Sequence, residues 1–254
     1  MGGVVSLMLP ALALLIAMTT CWGAGVLVNK RSHQLQPEES GGESYVLSGA
    51  FGLLALLMAF AFSLAIGRYE ARRLLVVEEA NAIGTMSTRL ALLDEGQRSS
   101  LAAVLAQYAK ARAAAGLQAE DSAWQAAHDQ TSHRCAQFGD ALFAALSAMP
   151  PDTRGPVLVQ AYNAMCDITT ARHAARQARL PAEVLVLLAF YCSASAGLLG
   201  FTIGKADRRN LISSVLFFAL LAAAYITILD LDSPRSGAIL VPQEELEAVA
   251  KGLN

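Results

Sequence analysis

His128, His133 and Cys135 are the first side chains in this sequence whose types suggest metal binding. Ligands on one helix converge when they stand three or four residues apart, as in an HExxH motif. A gap of five turns His133 about 140° from His128, and a gap of two turns Cys135 about 200° from His133. The three diverge, so no metal centre and no cofactor is expected. The four cysteines, Cys21, Cys135, Cys166 and Cys192, share no spacing from which a disulfide framework or zinc site can be read. Nucleophilic chemistry fares no better. There is no GxSxG elbow and no catalytic cysteine setting. The glycines at 41–42 and 197–204 lack the lysine or strand of a phosphate loop. An enzyme is not expected, and a net charge of −2 offers nothing to nucleic acid.

Ion chemistry has more candidates. Arg68, Arg72 and Arg73 form a basic cluster, and Glu78 and Glu79 follow one turn beyond. Glu79 and Asn81 could point into a helical bundle, where Gly84 would permit close approach. The plain alternative is a solvated helix with salt bridges. Repeated around an axis, such residues would make a vestibule whose charged rings select ions. Further on, "LDLDSPRSGAILVP" places Asp230, Asp232, Pro234 and Gly237 directly after an apolar run. Calcium takes six to eight oxygens, and two aspartates supply too few alone. The plainer reading is a helix stop: Asp230 and Asp232 face the headgroup layer, Pro234 cannot continue a helix, and Gly237 permits a turn. Ala238 to Val241 then docks on neighbouring structure, and 243–252 forms a short amphipathic helix.

The elements that must position these residues are membrane helices. Of 254 residues 55% are hydrophobic and only 16% charged, and the apolar residues are blocked rather than spread. Residues 1–29, 45–67, 184–204 and 211–229 contain no Asp, Glu, Lys or Arg. Each is close to the ~20 residues that cross ~30 Å of hydrocarbon. The first is kept as a span and not as a signal peptide, because it lacks a basic n-region and its apolar core is long. Pro10 is tolerated inside it. No charge lies within a span, which argues against a proton-coupled pump. Along the second span, Ser48, Gly52, Ala55, Ala59, Phe62 and Ile66 recur at helical spacing. They either pack against other helices or line a pore, with Phe62 and Ile66 as a hydrophobic constriction.

Between the second and third spans lies a polar middle with twelve basic and eleven acidic residues. It is alanine-rich, which favours helix. Residues 68–93 continue the second span, with Leu74, Val77, Ile83 and Leu90 near one face; Asp94 to Gly96 breaks the run, and 97–115 makes another helix. Trp124, Ala127, Thr131, Cys135, Phe138, Leu142 and Leu146 form one helical stripe, ended by Pro150 and Pro151. Val157, Leu158, Ala161, Met165, Ile168 and Ala175 form the next, in a helix expected to run from near Gly155 to Pro181. Lys and Arg near the span ends count six on this side (Arg68, Arg72, Arg73, Arg172, Arg176, Arg179) and five on the other (Lys30, Arg31, Lys205, Arg208, Arg209). That margin does not orient the chain, and the acids Glu38, Glu39 and Glu43 carry little weight in the count.

Two stretches, "EEANAIGTM" after the second span and "LDLDSPRSGAILVPQEEL" after the fourth, resemble the bacterial membrane family with a bestrophin-like domain. The order of two spans, helical middle and two spans resembles that family over nearly the whole chain. Arg235 stands where an aromatic residue is common in it. The resemblance implies a homopentameric ion channel, with the second span lining the pore and the middle and both termini in the cytoplasm. An acidic segment after the fourth span takes part in calcium sensing in animal bestrophins.

The expectation is therefore an all-α membrane protein with four transmembrane helices and a helical cytoplasmic domain between the second and third. Residues 1–67 hold the first two spans, 68–180 the helical domain, 181–229 the last two spans, and 230–254 the tail. The expected function is a homo-oligomeric ion channel of a bacterial inner membrane, with lipid, inorganic ions and its own copies as partners. Its pore would be lined by Ser48, Gly52, Ala55 and Ala59, constricted at Phe62 and Ile66, and fronted by a vestibule of Arg68, Arg72, Arg73, Glu79 and Asn81. The alternative is a non-conducting membrane scaffold or sensor whose helical domain binds a partner; an enzyme acting on lipid is a distant third.

Overall fold

A computed structural model describes residues 2–33, 41–150, 152–203, 208–235 and 237–253. Glu38, Glu39, Pro151, Gly204 and Lys205 fall outside these. The described residues are helical, with no strand among them: α1 (Gly2–His33), α2 (Gly41–Arg89), a 3₁₀ turn (Leu90–Leu92), α3 (Glu95–Gly116), α4 (Asp121–Ser147), α5 (Arg154–Gln177), α6 (Ala182–Ile203), α7 (Arg208–Asp232) and α8 (Glu244–Gly252). Among the described residues, four helical stretches are long and apolar enough to cross a membrane. α2, at 49 residues, is ~74 Å long, more than twice the hydrocarbon thickness. Only its uncharged part, 45–67, is read as spanning.

The chain divides into two compact units. One comprises Met1–Gly67 with Arg179–Ile239, and the other Arg68–Ala178 with Leu240–Asn254. In the first, α1 continues through Pro10 and packs on α6 and α7. The α1–α6 crossing depends on glycine. A Cβ on Gly200 would strike the Trp22 carbonyl, and one on Gly25 would strike the Gly197 carbonyl. This is small-residue packing, where helix backbones approach closely in lipid. Gly200→Ala is expected to cost about 1–3 kcal/mol by overpacking against rigid backbone. Gly52→Ala, where a Cβ meets nothing within 4 Å, is the matched control. Thermal unfolding midpoints in detergent compare the two.

In the second unit, α3 packs on α4 and α8, and α4 on α5. Its core joins Ile83, Met86 and Leu90 to Leu105, Tyr108, Phe138, Leu142, Leu158, Met165 and Leu246. The inward stripe of this part of α2 is Val76, Ala80, Ile83 and Met86. Leu74 and Val77, which share a face with Ile83 and Leu90 by spacing, are exposed at 57% and 36%. Counting apolar residues alone misplaced the stripe, because the phase of the helix is set by Arg72 and Glu79, which turn inward to charged and backbone partners. The α4 stripe is buried at Trp124, Thr131, Cys135, Phe138 and Leu142, as its periodicity predicts. α5 does not reach Pro181. It stops at Gln177, Ala178 is already extended, and Pro181 precedes α6. The residue before a proline is biased away from helix, and Arg72 takes the freed carbonyls.

Candidate functional site

In the membrane unit, α2 shows two faces. Leu54, Met58, Ala61 and Ala65 are buried against the chain's own helices, and Phe51 meets Phe217 of α7 edge-on at 5.1 Å. About 110° round the helix stand Ser48, Gly52, Ala55, Ala59, Phe62 and Ile66, all exposed. Phe62 is 40% and Ile66 38% accessible. The chain's own packing leaves that face of small residues and two large apolar ones uncovered.

The charged residues that follow on α2 take different places. Arg73 is exposed and pairs with Glu70 at 3.1 Å. Arg68 is half-buried, and Asn81 is exposed. Asn81 lines a groove of ≈ 550 Å³ with Ala80, Gly84, Thr85, Thr88, Arg89 and Val249. Arg72, expected with Arg68 and Arg73 at a mouth, is buried instead. Its guanidinium donates to the carbonyls of Ala175 at 3.1 Å and Ala178 at 2.7 Å. It thereby caps the end of α5, where the helix leaves carbonyls unpaired and its dipole favours a cation.

Glu79 points into its own helical bundle and not into a vestibule. It is fully buried, and its carboxylate accepts hydrogen bonds from Arg112 of α3 and Arg172 of α5. Arg112 donates onward to the Thr131 hydroxyl of α4 at 3.1 Å. Arg172 donates to the Gln243 carboxamide at 3.0 Å, ahead of α8. Thr169 and Tyr108 share a hydrogen bond of 2.8 Å beside them. One carboxylate thus ties four helices and the tail together. Burial alone would raise its pKa, but the two guanidiniums overcome this and hold it below the usual carboxylate value. Gly116 lies against the Gln243 side chain, which a Cβ there would displace. Sequence reasoning picked Glu79 but not Arg112, Arg172 or Gln243. Only tertiary contact reveals the partner they share.

Asp230 and Asp232 form a third cluster, within the membrane unit. α7 runs to Asp232, three residues past the expected end at Leu229. Both aspartates are buried and do not face headgroups. Both Asp232 oxygens accept the Leu180 N–H, at 2.9 and 3.0 Å, and Arg179 donates to the Asp232 carbonyl at 3.0 Å. Asp230 accepts the N–H of Ala238 at 3.1 Å and of Ile239 at 3.3 Å. An unpaired buried N–H is costly, so carboxylates at these two turns satisfy backbone that helices cannot. Pro234 is buried beside them, and Arg235 and Gly237 are half-buried. These oxygens aim at N–H donors, which a bound cation would have to displace.

The histidines and Cys135 turn to three different neighbourhoods. The His128 ring lies 4.3 Å from His173 and 5.2 Å from Trp124, with Arg176 over the Trp124 ring at 4.6 Å. His133 is exposed, and Cys135 meets Cys166.

The model of the family described as Bestrophin-like domain matches residues 11–246. Among solved structures, one variant of a bacterial bestrophin homolog from Klebsiella pneumoniae is 13% identical, covers 96% of this chain and 98% of its own, and has a TM-score of 0.72. A second variant is 12% identical, with 98% and 97% coverage and a TM-score of 0.74. A structure described as a membrane protein is 12% identical, with the same coverage and a TM-score of 0.71. None of the curated proteins matches. At these identities the structural likenesses show the fold.

Proposed function

The chain belongs to the bestrophin-like family, and from that premise we propose that it is a homo-oligomeric ion channel whose pore is lined by α2. The observation that carries the proposal is the uncovered face of α2. A membrane helix whose small residues served only internal packing would bury them within its own chain. Here Gly52, Ala55 and Ala59 are exposed, while the same helix buries Leu54, Met58 and Ala61 on another side. Around a symmetry axis the small residues leave room for water and ions, and Phe62 and Ile66 form the narrow apolar ring that gates by dewetting. The three-and-four spacing continues through Glu70, Arg73, Val77 and Asn81, all exposed. Arg68, Arg73 and Asn81 then belong to the vestibule, with Glu79 and Arg72 holding its wall from behind. In this proposal it works as a pentamer in a bacterial inner membrane, with both termini and the helical unit in the cytoplasm.

The test is the native mass of the detergent-solubilised complex, followed by ion flux in liposomes. A ring of five is expected, with flux raised severalfold by Phe62→Ala or Ile66→Ala. A monomer or dimer would leave no axial pore for α2 to line. An oligomer with no flux, before and after these substitutions, would favour the scaffold reading.

A further inference from the structure

Four cysteines scattered without pattern in the sequence include two that the fold brings together. Cys135 on α4 and Cys166 on α5 are both free thiols, and their sulfurs lie 2.9 Å apart. That is inside ordinary sulfur contact, and about 0.9 Å beyond the bond length of a disulfide. We propose that Cys135 and Cys166 form a redox modification site, which hydrogen peroxide converts to a disulfide joining α4 to α5 and which a dithiol reductant reopens.

The surroundings divide the labour between the two sulfurs. Cys135 is 6% exposed, whereas Cys166 is partly open and is the sulfur an oxidant reaches. A hydrogen bond links the two sulfurs, with either thiol able to donate, and the Tyr162 side chain acts on Cys166 as well. The first of these, with the second, outweighs burial and holds the Cys166 thiol down to about 7. The thiolate is the nucleophilic form, so Cys166 is the sulfur that attacks the oxidant. The Cys135 thiol is pushed up, by its bond to Cys166 and then by burial, and so keeps its proton until the second step. The seam is tight because Gly139 stands against the Tyr162 ring, where a Cβ would strike the ring itself.

The Cys166 thiolate attacks one peroxide oxygen; the S–O bond forms, the O–O bond breaks, and the departing hydroxide takes up a proton as water. Cys135 then loses its proton and attacks the Cys166 sulfur. The S–S bond forms, the S–O bond breaks, and the second oxygen leaves as water. Two thiols lose two electrons in total and one peroxide gains them.

The experiment uses the full chain, purified in detergent under reductant, desalted and exposed to hydrogen peroxide. Remaining thiols are blocked with iodoacetamide under denaturing conditions before peptide mass spectrometry. The expected product is one peptide pair joining Cys135 to Cys166, lighter by two hydrogens and split by dithiothreitol, with Cys21 and Cys192 alkylated. In Cys135→Ser the disulfide is lost, and Cys166 instead accumulates as a sulfenic acid that dimedone traps. Full alkylation of all four cysteines after peroxide, or pairing of Cys135 with a different cysteine, would overturn the proposal. So would Cys135→Ser protein of wild-type helicity in which dimedone fails to label Cys166. The readout is a mass, so it is independent of whether the protein conducts ions.

Discussion

Glu79→Gln is expected to destabilise the helical unit by about 3–5 kcal/mol, the range found when one member of a buried ion cluster is removed. The amide keeps the shape of the carboxylate but leaves Arg112, 3% exposed, and Arg172, 13% exposed, without a counter-charge. The loss is therefore mainly the cost of two guanidiniums stranded out of water. A triple variant, Glu79→Met with Arg112→Met and Arg172→Leu, removes the stranded charges too and is expected to lose less than the single one. Denaturant or thermal unfolding in detergent, read by helicity, compares them. A single-variant loss under about 1 kcal/mol, the scale of a surface ion pair, would show that Glu79 does not organise this core.

The same cluster sets a pH dependence. The folded pKa of Glu79 lies below its ordinary 4.5. The unfolded chain takes up this proton first as the pH falls, so the stabilisation is complete above about 4.5 and drains away as pH drops through the folded value. Glu79→Gln protein lacks that component. Its unfolding midpoint is expected to fall less steeply below about pH 4.5 than that of the wild type. Parallel slopes for the two proteins would contradict the assignment.

Asp232→Ala is the second large effect, about 2–3 kcal/mol. The substitution strands the buried Leu180 N–H, which both carboxylate oxygens accept. Hydrogen bonds to charged groups carry about 1.5–3 kcal/mol, and an unsatisfied buried donor costs a similar amount. Asp232→Asn keeps one acceptor and should recover part of the loss. Asp230→Ala should cost less, because its bonds to Ala238 and Ile239 are longer and half-exposed. The ranking is read from thermal midpoints in detergent. If added calcium raised the wild-type midpoint and left Asp230→Ala and Asp232→Ala unchanged, these aspartates would be cation ligands and not backbone acceptors.

Much of the fold was legible because membrane helices announce themselves locally. A run without charge, of the length needed to cross hydrocarbon, has few structural outcomes, so 45–67 and 211–229 read directly as spans. The α4 stripe from Trp124 to Leu142 read equally well, since one face of one helix carries it. Leu74 and Val77 did not. Their apolar character suited an inward face, but Arg72 and Glu79 had stronger reasons to turn inward, with helix carbonyls and two guanidiniums waiting. Those partners lie about thirty to a hundred residues away, and no local period records them.

The sequence by itself determined an all-helical membrane chain, its four spans and the polar middle, while the helix ends moved by a few residues, α2 stopping at Arg89 and α7 running on to Asp232. The first three follow from hydrophobicity, helix propensity and the backbone limits of proline and glycine, which act over a few residues at a time. Tertiary structure alone decided which polar residues meet: Glu79 with Arg112 and Arg172, Asp232 with the Leu180 amide, and Cys135 with Cys166. Each is a contact between distant segments, settled by where helices cross and by the high cost of leaving a buried charge or donor unpaired.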